Sequence, residues 1–322
     1  MIKKQKKLRF FTGITATGTL TLGHYLGIIK NILKIQEKYE IIIMIGDLHA
    51  LTVPNNKINF LNNCYEIASL LYSCGLKKNK CKIFIQSSIK EHIELSFFLS
   101  SHVNVGKLNN MIQYKEKKRE NLSLLYYPVL MASDIFLYDS DLVLVGKDQK
   151  QHLELSSDIA KTFNNFYQSK LLKIPKFEIP EIGGKIMSLK NPEKKMSKSE
   201  KDNISLLDNY EEIKKKIFSS ITDSENKIYY HEKKKGISNL LIIYSLLENK
   251  TIKESEMELK NSNYHFFKEK IINSIEKNFS SIKEKYKLIF PEINQILKKN
   301  NDYLKKIAKK KIRKIKEVMK LL

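Results

Sequence analysis

The run Leu8-Arg-Phe-Phe-Thr12, followed by Gly13-Ile-Thr-Ala-Thr-Gly18 and then by Thr21-Leu-Gly-His24, decides the fold. An aromatic-rich strand runs into a glycine-containing turn and then into the start of a helix. Glycines let backbone come close to a ligand, and a helix N-terminus offers N–H groups and the positive end of its dipole to an anion. Taken alone, the segment also reads as an ordinary Gly-rich βα turn. Outward from it, short apolar runs at residues 41–46, 82–86 and 142–146 join 8–12 as candidate strands. Between them, residues 23–38, 58–74 and 149–163 repeat apolar side chains at three- and four-residue spacing, the mark of helices that bury one face. Strands alternating with helices predict an α/β fold with a parallel sheet, whose ligands bind beyond the carboxyl ends of the strands.

Past Ser205 the strand-like runs stop and Lys-rich helical stretches continue to Leu322, with breaks near residues 222–226, 261–263 and Pro291. This predicts two units: a catalytic domain over 1–204 and an all-helical domain over 205–322. In the last helix Leu304, Ile307, Ala308, Ile312, Ile315, Val318 and Met319 form an apolar stripe, with Lys305, Lys306, Lys309, Lys310, Arg313 and Lys316 mostly off it. That basic face reads either as a solvated surface over a packed helix or as a face that holds RNA. The 322 residues carry a formal net charge of +23, which favours polyanionic partners, although a Lys- and Ile-heavy composition inflates the figure. The three cysteines, Cys64, Cys74 and Cys81, lack the spacing of a zinc site, so no structural metal is expected and reduced thiols in a cytoplasmic protein are. No run approaches the length of a membrane span, and the stretch after the basic, partly apolar residues 1–11 is broken by Thr12, Gly13, Thr15, Thr17 and Gly18, which is poor for a signal-peptide core.

A second motif, Lys194-Lys-Met-Ser-Lys-Ser199, follows Asn191-Pro192 in a polar loop. Paired lysines there can neutralise charge developing on a leaving pyrophosphate, which stabilises the transition state. The two segments together resemble the paired signatures of class I aminoacyl-tRNA synthetases: Thr21 to His24 a degenerate "HIGH", Lys195 to Ser199 an intact "KMSKS". The similarity extends to bacterial tryptophanyl-tRNA synthetases through Asp47-Leu-His-Ala-Leu-Thr52, Met111-Ile-Gln-Tyr-Lys-Glu-Lys117, Tyr127-Pro-Val-Leu-Met-Ala-Ser-Asp134-Ile135, Gly146-Lys-Asp-Gln-Lys-Gln-His152, Thr222-Asp-Ser224 and Gly236-Ile-Ser-Asn-Leu-Leu241. The resemblance implies a Rossmann-like catalytic domain with a helical insertion, followed by a helical domain that binds the tRNA anticodon. It implies a two-step reaction in which tryptophan attacks the α-phosphate of Mg-ATP and the aminoacyl group then passes to tRNA(Trp), in a cytoplasmic homodimer with no membrane role.

Carried over by position, Thr15, Ala16, Thr17, Gly23 and His24 would line the ATP site, Gly146, Lys147 and Asp148 would hold the ribose, and Ile186 would lie on the adenine. Lys117, Lys195 and Lys198 would meet the triphosphate, with Thr21 and His24 beside them and Met196, Ser197 and Ser199 completing the loop. For tryptophan, Asp134 would accept the indole N–H, with Tyr127, Gln113 and Gln149 near the amino and carboxylate groups. Phe11, Gly46, His49, Met131, Ile135, Val143 and Val145 would form the wall. Asp134 also stands out on physical grounds, because a carboxylate inside the apolar run 126–138 is costly to bury without a partner.

The chain departs from the family pattern where Thr15-Ala-Thr-Gly18 replaces Gln-Pro-Ser-Gly, which removes a side-chain amide, and where the stretch from Lys117 to Tyr127 is short. Competing readings are a tyrosyl-tRNA synthetase, a small-molecule nucleotidyltransferase and a non-catalytic RNA-binding relative. A tyrosine site needs polar partners for a phenol, whereas Phe11, Met131, Ile135, Val143 and Val145 offer none. The chain itself contains no tryptophan.

Overall fold

A computed structural model describes residues 7–52, 59–116, 121–146, 149–178, 186–196 and 202–322. Strand β1 (Arg9–Thr15) leads to helix α1 (Leu22–His24), a π turn over Tyr25–Ile29, and α2 (Lys30–Ile35). Strand β2 (Glu40–Gly46) is followed by α3 (Asp47–Ala50) and α4 (Phe60–Ser73), and β3 (Cys81–Ile85) by α5 (Glu91–Ser100), α6 (Val105–Asn109), α7 (Ile112–Glu116) and α8 (Leu122–Phe136). Then come β4 (Leu142–Leu144), α9 (Lys150–Phe166) and β5 (Lys176–Glu178). The remainder is helical: α10 (Tyr210–Phe218), α11 (Lys235–Glu248), α12 (Ile252–Leu259), α13 (Tyr264–Ile289) and α14 (Ile293–Val318).

The strands form one parallel sheet in the order β3-β2-β1-β4-β5. The chain winds outward from β1 to β3 and then returns to the other side through β4. This reversal between β1 and β4 opens a crevice at the carboxyl ends of the strands. Both faces of the sheet are covered, which is why β2 reads as a nearly unbroken apolar run rather than an alternation. Phe10, Ile41, Ile43 and Ile45 pack into one core with α4, α11 and α13. Phe11, Ile42, Met44 and Phe84 enter a second core with α5, α8, α9 and α14. Each such side chain, fully buried, contributes about 1.5–3 kcal/mol.

The predicted strands and helices match the observed ones to within a few residues, with three differences. Residues 145–146 leave β4 and line the crevice instead. The helix expected over 23–38 holds a five-residue π turn, which widens the backbone around Gly27 where that glycine meets the crevice. Strand β5 was not anticipated. Helix α14 packs its stripe of Leu304, Ala308, Ile312 and Ile315 against β3 and α5, while Lys306, Lys309, Lys310 and Arg313 stay exposed. Its Lys311 is buried and bonds the Asp139 carboxylate and the Leu171 carbonyl, tying α14 to the far side of the sheet. Cys64, Cys74 and Cys81 are free thiols. Among the described residues no helix is long and apolar enough to cross a membrane.

Candidate active site

A cavity of about 480 Å³ fills the crevice between β1 and β4. Its upper rim is built by the turn after β1. Gly18 adopts φ +90°, a conformation that excludes ordinary side chains, and so bends the chain back towards α1. Thr15 and Thr17 place their hydroxyls 3.4 Å apart on the rim. At the start of α1 the His24 ring sits with Nδ1 2.8 Å from the Thr21 hydroxyl and 3.3 Å from the Thr21 N–H. An Nδ1 that accepts from the backbone puts the proton of a neutral ring on Nε2. Gly23, His24, Gly146, Ile186, Lys195 and Met196 complete this half of the cavity.

Lys195 is held there by a short antiparallel bridge to Met187. Met196 N–H donates to the Ile186 carbonyl at 2.9 Å, and Ser188 N–H to the Lys194 carbonyl at 2.8 Å. Asn239, from the Gly236-Ile-Ser-Asn motif, clamps the same bridge from below: its Oδ1 accepts from Met187 N–H at 2.9 Å and its Nδ2 donates to the Met187 carbonyl at 3.0 Å. On the far side Asp202 accepts from the Ser188 hydroxyl at 2.6 Å and from Lys190 N–H at 3.0 Å. Burial opposes the charge on Asp202, and these donors outweigh it, holding its carboxyl below the ordinary value. The arm that carries Lys195 is therefore tied to α11 through Asn239 and to Asp202 through Ser188 and Lys190.

The lower half is apolar: Phe11, Met44, Met131, Ile135, Val143 and Val145 face the cavity, with Gly46, His49, Tyr127, Gln149 and one carboxylate, Asp134. Asp134 is 1% exposed on α8. Its oxygens accept from His49 Nε2 at 2.6 Å, His92 Nδ1 at 2.6 Å and Gln86 Nε2 at 2.9 and 3.0 Å. Burial works against its charge, yet the imidazoles of His49 and His92 hold the carboxyl below its usual range. Behind His92, Nε2 lies 2.8 Å from the Tyr138 hydroxyl, whose own pKa is pushed well up, first by burial and then by the nearby carboxylates. His49 Nδ1 is buried with no partner among the described residues, an orphaned polar atom on a residue of the cavity wall. Tyr127 donates its hydroxyl to Gln149 Oε1 at 3.2 Å and stacks at a tilt 4.6 Å from the His49 ring.

The structure thus gathers Phe11, Thr15, Thr17, Thr21, Gly23, His24, Gly46, His49, Tyr127, Met131, Asp134, Ile135, Val143, Val145, Gly146, Gln149, Ile186, Lys195 and Met196 around one cavity. Ala16 is fully buried behind the rim and Gln113 lies on α7; neither is part of the described lining. Lys117, Lys147, Asp148, Ser197, Lys198 and Ser199 fall outside the described residues. Sequence reasoning quoted Asn239 only within the Gly236 motif, with no role, and did not single out Gln86, His92, Tyr138 or Asp202. Gln86 was the most accessible of these, since it directly follows β3, where an α/β sheet places its site.

Residues 3–280 match the family model of class I tRNA synthetases of the W and Y group. The chain is 42% identical to the tryptophan–tRNA ligase of Malacoplasma penetrans over 96% of both chains. It is 39% identical to that of Bacillus anthracis, covering 96% of this chain and 97% of the other. In three dimensions it superposes on the tryptophanyl-tRNA synthetase of Mycoplasma pneumoniae with TM-score 0.88 at 32% identity, over 97% of each chain. The Campylobacter jejuni tryptophanyl-tRNA synthetase, solved with ADP and tryptophan, gives TM-score 0.83 at 30% identity, over 97% of this chain and 99% of that one. With this sheet, this cavity and these relatives, the chain belongs to the class I tRNA synthetases of the tryptophan and tyrosine group.

Proposed function

We propose that this chain is a tryptophan–tRNA ligase, activating L-tryptophan with ATP to tryptophanyl-adenylate and transferring it to tRNA(Trp) for protein synthesis. The observation that carries this reading is the lower half of the cavity, where, among the described residues, apolar walls surround one buried carboxylate. Asp134 accepts the indole N–H, and Phe11, Met131, Ile135, Val143 and Val145 hold the ring faces. Tyr127 and Gln149, with Gln113 nearby, orient the amino and carboxylate groups. ATP occupies the upper half, with adenine against Ile186 and phosphates near Thr15, Thr17, Gly23 and His24. Gly146, with Lys147 and Asp148, receives the ribose.

Little covalent work falls to the protein: it holds the tryptophan carboxylate in line with the α-phosphate and stabilises charge as pyrophosphate departs. Lys195, with Lys198 and Lys117, performs the second task, and the anchored bridge at Met187 aims Lys195 at the phosphates. Mg²⁺ enters as part of the Mg-ATP substrate, and the donors beside the upper half of the cavity, Thr15, Thr17, Thr21, His24 and Lys195, suit phosphate.

The helical region 205–322 binds the tRNA anticodon end, consistent with the excess of positive charge. Exposed Ile93, Phe97, Val105, Ile112 and Leu122 on the helices from α5 to α8 fit a homodimer interface, and the protein works in the cytoplasm without membrane attachment. The test is charging: the purified protein with ATP, Mg²⁺ and labelled amino acids should load tryptophan onto tRNA(Trp) transcript and leave tRNA(Tyr) uncharged. Charging of tRNA(Tyr) with tyrosine would overturn the reading.

A further inference from the structure

Asp134 takes three donors, and two of them, His92 and Gln86, are completely buried. Gln86 Nε2 reaches both oxygens, so His49, His92 and Gln86 make four contacts, two to each oxygen, and hold the carboxylate at the cavity it lines. Its orientation is set by these donors. His92 is the most constrained of them: its Nδ1 reaches Asp134 at 2.6 Å, its Nε2 is fixed 2.8 Å from the Tyr138 hydroxyl, and its ring lies 5.5 Å from Phe84 at 24°. A buried ring bonded at both nitrogens cannot rotate, so neither can the carboxylate it holds. Gln86 completes the brace by also accepting from His49 N–H at 3.4 Å.

We propose that His92, anchored by Tyr138, is a positioning residue that holds the Asp134 carboxylate in the orientation in which it meets the indole N–H, and that it thereby sets selectivity for tryptophan. His92 is not among the residues lining the cavity and takes no part in the chemical step. The inference rests on the proposed tryptophan activity.

The test compares tryptophan with benzothienylalanine, which keeps the shape of the side chain and replaces the N–H by sulfur, in ATP–pyrophosphate exchange. In the wild type, tryptophan should win on kcat/KM. In His92→Leu that preference should fall roughly tenfold, the scale of one hydrogen bond to a charged group. The fall should come from a higher tryptophan KM, with kcat and the KM for ATP nearly unchanged. His92→Asn, whose amide reaches the place of Nδ1, should restore most of the preference. Tyr138→Phe, which removes only the anchoring hydroxyl, should lower it a few-fold and carries the test if His92→Leu does not fold. An unchanged preference in the folded variants, or an equal loss for both substrates, would overturn the inference while leaving the activity intact. A wild type without tryptophan-stimulated exchange would overturn the activity itself, and the inference with it.

Discussion

At the residue scale the account turns on Asp134 and Lys195, which the proposed function places at different points of the reaction. Asp134→Ala removes a ground-state contact and should raise the tryptophan KM by roughly ten- to a hundredfold in exchange kinetics, with a smaller effect on kcat. Lys195→Ala removes a contact made chiefly as pyrophosphate leaves, so kcat should fall by about a hundredfold with little change in KM. Asp134 also links stability to pH. Its folded pKa lies below the unfolded one, so the stabilisation is complete above the ordinary aspartate value, about 4, and is lost as pH falls through the folded pKa. Melting temperatures from neutral pH to about pH 3 should therefore show the gap between wild type and Asp134→Asn closing on acidification. Asp134 was legible in the sequence because a carboxylate in an apolar run demands a partner. Its partners were not: an isolated His92 inside α5 carries no such demand, since nothing in the chain order says which helix will face α8.

At the element scale, the strands nearest the crevice were legible and the peripheral ones were not. Strands β1 to β3 are apolar runs ended by turns, a pattern that survives without tertiary information. Strand β5 is three residues long and exists through its pairing with β4, so its sequence holds no period to read. The Gly236 motif was visible as a pattern but not as a mechanism. A Cβ at that position would stand 2.2 Å from the Ile221 carbonyl oxygen, because the N-terminal turn of α11 runs against that backbone. Gly236→Ala should cost about 1–3 kcal/mol, seen as a lower melting temperature. It should also lower kcat, since Asn239, one turn further on, clamps the bridge that carries Lys195. A variant as stable and as active as the wild type would separate α11 from the loop.

At the scale of the whole molecule, the strand reversal between β1 and β4 explains why residues as distant in sequence as Phe11, Asp134 and Lys195 share one cavity. The alternation of strands and helices made the parallel sheet legible. The packing of α14 back onto β3 was not, because an apolar stripe says that a helix is buried without saying on what. The charge of +23 should act on tRNA and not on amino-acid activation. Between about 50 and 200 mM salt the KM for tRNA should rise at least about tenfold while the KM for tryptophan in exchange stays nearly level, as counterion release requires. A tRNA KM insensitive to salt would place recognition in contacts other than the basic surface.

The central claim, that the cavity activates tryptophan, is tested most directly by ATP–pyrophosphate exchange with the purified chain, Mg²⁺ and tryptophan, tyrosine or phenylalanine in turn. The account predicts exchange stimulated by tryptophan alone. Stimulation by tyrosine would contradict the reading of the apolar half of the cavity, and no exchange with any of the three would contradict the catalytic reading and leave a protein that binds RNA on an inherited fold.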